Sequence, residues 1–289
     1  MADLVEIAGA GLSAAINPFG AELTHLRDAE GRELMTDADP AFWTGHAPLL
    51  FPFVGRLNGD VLRLDGAEYP MKQHGFARRS TFTLVEQSMS NVRFRLEDDA
   101  ETRAGYPFAF ALDAAYAIDG GTLTVVITIA NRGDAAMPAS FGFHPAFAWP
   151  LPYGAPRAEH CIVFDADEPG ALVALKDGLV ASRDRPSPLD GRVLHLTDTV
   201  FAEDALIWDG LSSRSVTYGA ATDPQLEVAF PDTEKLGIWT KPGAAFVCIE
   251  PWHGIADPQG YAGDFRDKPG VFEIAPGGTW TCRMEITLR

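Results

Sequence analysis

A side-chain period of two, sustained through two neighbouring segments, constrains this chain more than any other feature. Phe108, Phe110, Leu112, Ala114, Tyr116 and Ile118 alternate with Ala109, Ala111, Asp113, Ala115 and Ala117, which are small or polar. After Gly120-Gly121 the alternation resumes at Leu123, Val125, Ile127 and Ile129, and Asn131-Arg132-Gly133-Asp134 ends it. Side chains that point to opposite faces in turn belong to a strand, because a helix repeats every 3.6 residues. Two such runs about a glycine pair predict a β-hairpin.

The end of the chain repeats the pattern. Trp280, Cys282, Met284, Ile286 and Leu288 share one face, while Thr281, Arg283, Glu285, Thr287 and Arg289 share the other. One buried face and one wet face suit an antiparallel sheet. Shorter strands are predicted at residues 81–85, 92–96, 226–230 and 246–250. Helical spacing is scarce, and a short helix is expected only at 171–181. With 28 glycines and 21 prolines for turns, the chain reads as all-β, a large sandwich or closed β architecture. No internal repeat or charged linker divides it, so residues 1–289 are expected to form a single domain.

Charge narrows the function. Forty acidic side chains against 23 Lys and Arg give a formal net charge of −17. Such a surface repels polyanions and anionic lipid, so neither nucleic acid nor a membrane is an expected partner. The three cysteines, Cys161, Cys248 and Cys282, are widely spaced, which argues against a disulfide framework or a structural zinc site. Cys248 and Cys282 lie in apolar runs and read as core residues. Residues 1–17 lack a basic leader and carry Asp3 and Glu6. A cytoplasmic protein is expected, either a monomer or a homodimer.

Three segments place ionisable groups in apolar surroundings marked by glycine or proline. They are Gln73-His74-Gly75-Phe76-Ala77-Arg78, Phe141-Gly142-Phe143-His144-Pro145-Ala146-Phe147 and Val247-Cys248-Ile249-Glu250-Pro251-Trp252-His253-Gly254. A carboxylate at the end of a buried strand must be paired, hydrogen-bonded or raised in pKa, and a raised pKa suits a general base. Spacing alone leaves Glu250 equally open to that reading and to a strand-end side chain turned to solvent. His144 reads on its own as a core histidine and His74 as a turn histidine. His144 and Glu250 both precede a proline, which restricts their backbone to the extended region at a strand end. The histidines and Glu250 show no metal-ligand spacing, and no phosphate loop or nucleophile elbow occurs.

Taken together, these segments resemble the aldose 1-epimerase (galactose mutarotase-like) superfamily, in the bacterial branch that resembles LacX. The resemblance also rests on Gly20-Ala21-Glu22-Leu23 and on Pro48-Leu49-Leu50-Phe51-Pro52-Phe53-Val54-Gly55-Arg56, in the same order along most of the chain. It implies a single-domain antiparallel β supersandwich with an open cleft, and a reaction that uses no metal or cofactor. It implies Glu250 as general base, His144 as general acid at the ring oxygen, and His74 as a hydrogen-bonding partner of the sugar. Arg56 matches a substrate-binding arginine, and Asp204 a sugar-hydroxyl-binding aspartate. Trp252, Phe143 and Phe76 are available as stacking faces, with core packing the other reading for the two phenylalanines. The implied activity interconverts the α and β anomers of a free aldose by ring opening.

Two alternatives stand beside it. One is a hexose-6-phosphate 1-epimerase, with Arg78 and Arg79 toward the phosphate. That branch carries Arg-Gly-Gly before the proline matching Pro48, where this chain has Thr44-Gly45-His46-Ala47. The other is a non-catalytic carbohydrate-binding protein on the same fold, which the presence of both histidines with Glu250 argues against.

Overall fold

The computed structural model describes residues 4–289. Its regular structure is mostly strand, 45% of the residues against 8% helix, arranged in antiparallel sheets. The predicted hairpin is Phe110–Asp119 with Thr122–Asn131, paired over its whole length from Phe110 opposite Asn131 to Asp119 opposite Thr122. It sits inside a nine-stranded sheet. From one edge the order is Val193–His195, Cys161–Phe164, Ser215–Gly219, Leu226–Ala229, Thr279–Leu288, Thr122–Asn131, Phe110–Asp119, Asn91–Glu97 and Thr83–Gln87. The alternation read from the sequence is the burial pattern observed. Leu112, Ala114 and Tyr116 are buried from one strand, and Cys282, Met284 and Ile286 from another.

The second large sheet carries the polar segments. Phe246–His253 pairs with Lys235–Trp239 on one side, which in turn pairs with Leu206–Asp209. On its other side it pairs with two short strands, Phe141–Gly142 and Ala146–Ala148. Nearly every residue of Phe246–His253 is buried, yet its two faces do different things. Val247 and Ile249 join the main core with Leu236, Ile238, Leu206 and Trp208. Phe246, Cys248 and Trp252 belong to two smaller clusters on the opposite face. That opposite face, with Glu250 at its centre, is where the cleft forms.

The expected helix at 171–181 is absent. Leu175–Lys176 and Leu179–Val180 form a hairpin there, and Ala171–Leu172 pairs with Arg185–Pro186. The reason is local: Asp177-Gly178 forms a two-residue turn with φ of 55° and 77°, and an Asp-Gly pair favours such a turn. A short helix forms instead at Ala100–Gly105. Asp99 caps it: its carboxylate accepts from Thr102 N–H at 2.8 Å, while Thr102 Oγ1 accepts from Asp99 N–H at 2.8 Å.

Candidate active site

Strand parity builds the site. Gly142 lies opposite Trp252 and Ala146 opposite Cys248, so the same register sets His144 directly across from Glu250. Each flanking pair retains one ladder hydrogen bond, from Phe143 N–H to Pro251 O at 3.0 Å and from Ile249 N–H to Pro145 O at 3.1 Å. Pro145 and Pro251 remove the other donor from each pair. Glu250 therefore stands in mid-strand rather than at a strand end, and His144 occupies the break between two short strands. Glu250 Oε2 lies 3.2 Å from His144 Nε2, and both side chains are buried.

Two glycines give this face its depth. A Cβ at Gly142 would lie 2.6 Å from Trp252 Cδ1, and one at Gly237 would lie 2.6 Å from Trp252 Cη2. Without side chains at 142 and 237, the indole lies flat across both neighbouring strands and forms part of the floor.

His74 arrives from a different part of the chain. Its φ is 65° and that of Gly75 is 66°. Gly75 is obligatory here, because a Cβ would meet Phe51 O at 2.2 Å. His74 donates its backbone N–H to Gly55 O at 2.8 Å, and its ring Nδ1 accepts from Gly55 N–H at 3.0 Å. Because Nδ1 accepts, the neutral ring holds its proton on Nε2 and acts as a donor. The His74 and His144 rings meet edge to face, with centroids 5.9 Å apart.

These groups surround a cleft of about 280 Å³, lined by His74, His144, Glu250, Arg78, Asp204 and Trp252 together with Trp43 and Trp239. Burial holds the His144 imidazole down to about 3, with the positive charge of Arg78 acting in the same direction. Burial also holds His74 well below the usual imidazole range, helped by His144 and Arg78. Glu250 moves the opposite way. Burial raises its carboxyl well above the usual range, and the negative charge of Asp204 adds to the rise. Near neutral pH the floor thus holds two uncharged imidazoles beside a carboxyl whose charged form burial disfavours.

Arg78 supplies a positive charge. It is half-buried and forms no ion pair among the described residues; its one hydrogen bond is a long one to Gln73 O at 3.4 Å. Burial, with Arg79 beside it, lowers its guanidinium to about 10, so it stays charged. Arg79 donates to Gly75 O at 2.7 Å and lines a separate surface pocket.

Two residues expected at the site lie elsewhere. Arg56 does not line the cleft. Its Nε and Nη2 bond the Asp60 carboxylate at 2.8 and 2.9 Å, and its Nη1 bonds Asp177 O at 3.2 Å. It braces the 177–178 turn, whose Gly178 does line the cleft. Phe143 has the wrong parity. It points into the main core against Phe141, with centroids 5.0 Å apart, while His144 points the other way. Phe76 likewise packs against Phe51 and the main core.

The structure adds two aromatic residues that the sequence reading did not select. Trp43 stacks on His144 at 4.9 Å with 26° between the planes. Trp239 meets the same imidazole edge to face at 6.0 Å. Trp239 lies two residues from Gly237 on the same strand face, a parity signal present in the sequence. Trp43 comes from a loop, where Gly45 leaves room for the ring to fold back: a Cβ there would lie 2.4 Å from Trp43 Cζ2.

The chain is thus an antiparallel β supersandwich with a buried carboxyl–imidazole pair at the floor of a cleft, and comparison with known proteins identifies its family. The model of the family described as aldose 1-epimerase matches residues 3–262. The chain belongs to the aldose 1-epimerase family. It is 30% identical to the plasmid-encoded protein LacX of Lactococcus lactis subsp. lactis over 295 positions, covering 98% of this chain and 99% of that one. The solved structure of a galactose mutarotase related enzyme from Lactobacillus acidophilus superposes with a TM-score of 0.93 at 30% identity, covering 99% of this chain and 97% of that chain. A galactose mutarotase-like protein from Lactobacillus casei ATCC 334 gives 0.92 at 28% identity, covering 99% of this chain and 100% of that one.

Proposed function

We propose that the protein is an aldose 1-epimerase, an isomerase that interconverts the α and β anomers of a free aldose without a cofactor. The observation that carries this reading is the Glu250–His144 pair, 3.2 Å apart across one strand ladder at the cleft floor. Opening a pyranose at C1 requires one group to take the proton of the anomeric hydroxyl while another gives a proton to the ring oxygen. For the pair to play both parts, it must carry one mobile proton between its two members. With it on Glu250 the pair is uncharged, and moving it to His144 creates the carboxylate base and the imidazolium acid together. Glu250 then accepts the O1 proton and His144 protonates O5, so the C1–O5 bond breaks to leave the aldehyde. Rotation about C1–C2 exposes the other face, and closure reverses both transfers. The pair ends with the proton count it began with, as an isomerisation demands.

The neighbouring residues support these steps. The Trp43 face against His144 would stabilise the imidazolium as it forms. His74 Nε2–H and the Arg78 guanidinium are donors for sugar oxygens, and Arg78 offsets negative charge developing on oxygen. Asp204, at the rim, is an acceptor for ring hydroxyls. Only Arg78 of the two adjacent arginines faces this cleft, which supports a neutral sugar over a sugar phosphate. All three cysteines are free thiols, in keeping with a cytoplasmic enzyme.

Polarimetry, or NMR of the anomeric protons, on freshly dissolved α-glucose, α-galactose and glucose 6-phosphate tests the reading against spontaneous mutarotation. Acceleration of a neutral aldose is expected. Glu250→Gln, which keeps the shape and removes the proton acceptor, should lower kcat by about 10²- to 10⁴-fold. Full activity in that variant would remove Glu250 from the mechanism.

A further inference from the structure

Cys248 sits two residues before Glu250 on the same strand face, and the register that sets His144 across from Glu250 brings the thiol to the same point. Among the described residues, His144, Cys248 and Glu250 are the one place where three metal-ligating side chains converge, with donor atoms all within 4.8 Å of one another. We propose that these three side chains form a site for a thiophilic divalent cation, zinc above all, which occupies the cleft floor in competition with the sugar. The inhibitory part of this inference rests on the epimerase reading; the binding part does not.

Four observations support it. Tetrahedral zinc with bonds of about 2.0 Å to nitrogen and oxygen sets neighbouring donors roughly 3.3 Å apart, and His144 Nε2 lies 3.2 Å from Glu250 Oε2. All three side chains are at least nine-tenths buried, and Glu250 Oε2 has no hydrogen-bond partner although it faces the imidazole. Binding would release the thiol and carboxyl protons to solvent, leaving a dication with one thiolate, one carboxylate and one neutral imidazole. That assembly carries no net charge, so the burial that penalises a lone ion does not penalise the complex. Finally, the cleft lies on the open side of His144 and Glu250, leaving a fourth position for water or a ligand oxygen. The donor set of sulfur, imidazole nitrogen and a single carboxylate suits zinc or cobalt and does not suit magnesium or calcium, which take oxygen.

The test is a Co²⁺ titration of the full-length protein in metal-free buffer, followed by absorbance. One equivalent should produce a near-ultraviolet thiolate-to-cobalt band, and Zn²⁺ should abolish it by displacement. Cys248→Ala should lose the band and weaken binding by more than the 10- to 100-fold that loss of an outer-shell partner costs, roughly. Cys248→Ser serves as a second variant should the alanine protein fold poorly. No band in the wild type, or a band that persists in both variants, would overturn the site, the latter by assigning the metal to Cys161 or Cys282. In parallel, Zn²⁺ should slow wild-type mutarotation reversibly, and each cysteine variant should need more than about 100-fold more Zn²⁺ for the same fractional loss of its own rate, in step with its weakened binding. If no sugar is epimerised, the function reading fails while the absorbance still decides the metal site. If sugar is epimerised and zinc binds without slowing it, competition is refuted.

Discussion

Replacing Gly237 with alanine tests whether a missing side chain shapes the cleft floor. The new Cβ would lie 2.6 Å from Trp252 Cη2 and 2.7 Å from Cζ2, against the 3.5–4.0 Å, approximately, of a relaxed carbon contact. The indole must withdraw by about 1 Å. Gly142 grips its opposite edge, since a Cβ there would lie 2.6 Å from Cδ1, and the main core lies behind the sheet. The movement left to the ring is toward the cleft. Overpacking of this kind costs about 1–3 kcal/mol, partly offset by the ~0.5–1 kcal/mol that alanine gains over glycine in a strand. The net loss, on the order of 0.5–2 kcal/mol, corresponds to a fall in Tm of roughly 1–8 °C. Thermal unfolding followed by circular dichroism measures it, and mutarotation at saturating and limiting sugar separates kcat from KM. A rise in KM is expected together with the lower Tm. Gly133→Ala is the control, because its nearest neighbour is 3.4 Å away and its φ is not in the left-handed region, so the Tm should hold or rise slightly. If Gly237→Ala melts and turns over like the wild type, Trp252 is not held by the glycine pair and the floor is built differently.

The remaining expectations concern charge. Because burial holds His144 down to about 3, its imidazole takes up no proton at ordinary imidazole pH, and kcat/KM should stay flat well below pH 6.5. An acid limb at ordinary imidazole pH in a pH–rate profile would contradict this. His144 and Glu250 act on stability with opposite signs. Below pH 6.5 unfolded His144 binds a proton that the buried ring refuses, so this residue alone removes about 2 kcal/mol by pH 5, whereas the raised Glu250 favours the fold at low pH and loses that contribution as pH climbs past 4.5. Urea unfolding of wild type and His144→Asn at pH 7 and pH 5 isolates the histidine part. Arg78→Ala should lower kcat/KM by about 10- to 150-fold, the equivalent of a lost charge-assisted hydrogen bond, while Arg56→Ala should act mainly through the 177–178 turn and cost much less. Equal losses in the two variants would restore Arg56 to the cleft.

Much of the fold and part of the site were legible in the residue order, for physical reasons that also explain the misses. Period two made the long strands visible because each buries one face against a continuous core. The same rule separates Phe143 from His144, yet an aromatic beside a polar segment is attractive as a stacking face, and parity becomes decisive only once the pairing register is known. Arg56 could not be judged from its own neighbourhood in sequence, because what removes it from the cleft is the bidentate grip of Asp60 four residues on. The helix expected at 171–181 failed on Asp177-Gly178, a turn signal outweighed by the apolar residues around it. Trp43 lies in a loop, where no periodicity fixes side-chain direction.

The prolines show how local chemistry and register combine at the site. Read alone, Pro145 and Pro251 only restrict the residues before them, and they suggested two strand ends. In the sheet they fall in the two pairs that flank His144 and Glu250, where each removes one ladder donor and leaves one bond in place. The strands therefore stay in register through the site, so the imidazole and the carboxyl remain 3.2 Å apart, while the ladder is thinned on both sides of them. A full ladder would make the same two residues an ordinary cross-strand pair. A complete break would let them drift. Holding the register with half the bonds fixes the carboxyl against the imidazole at the floor of a cleft, and it does so with two residues whose own side chains cannot ionise.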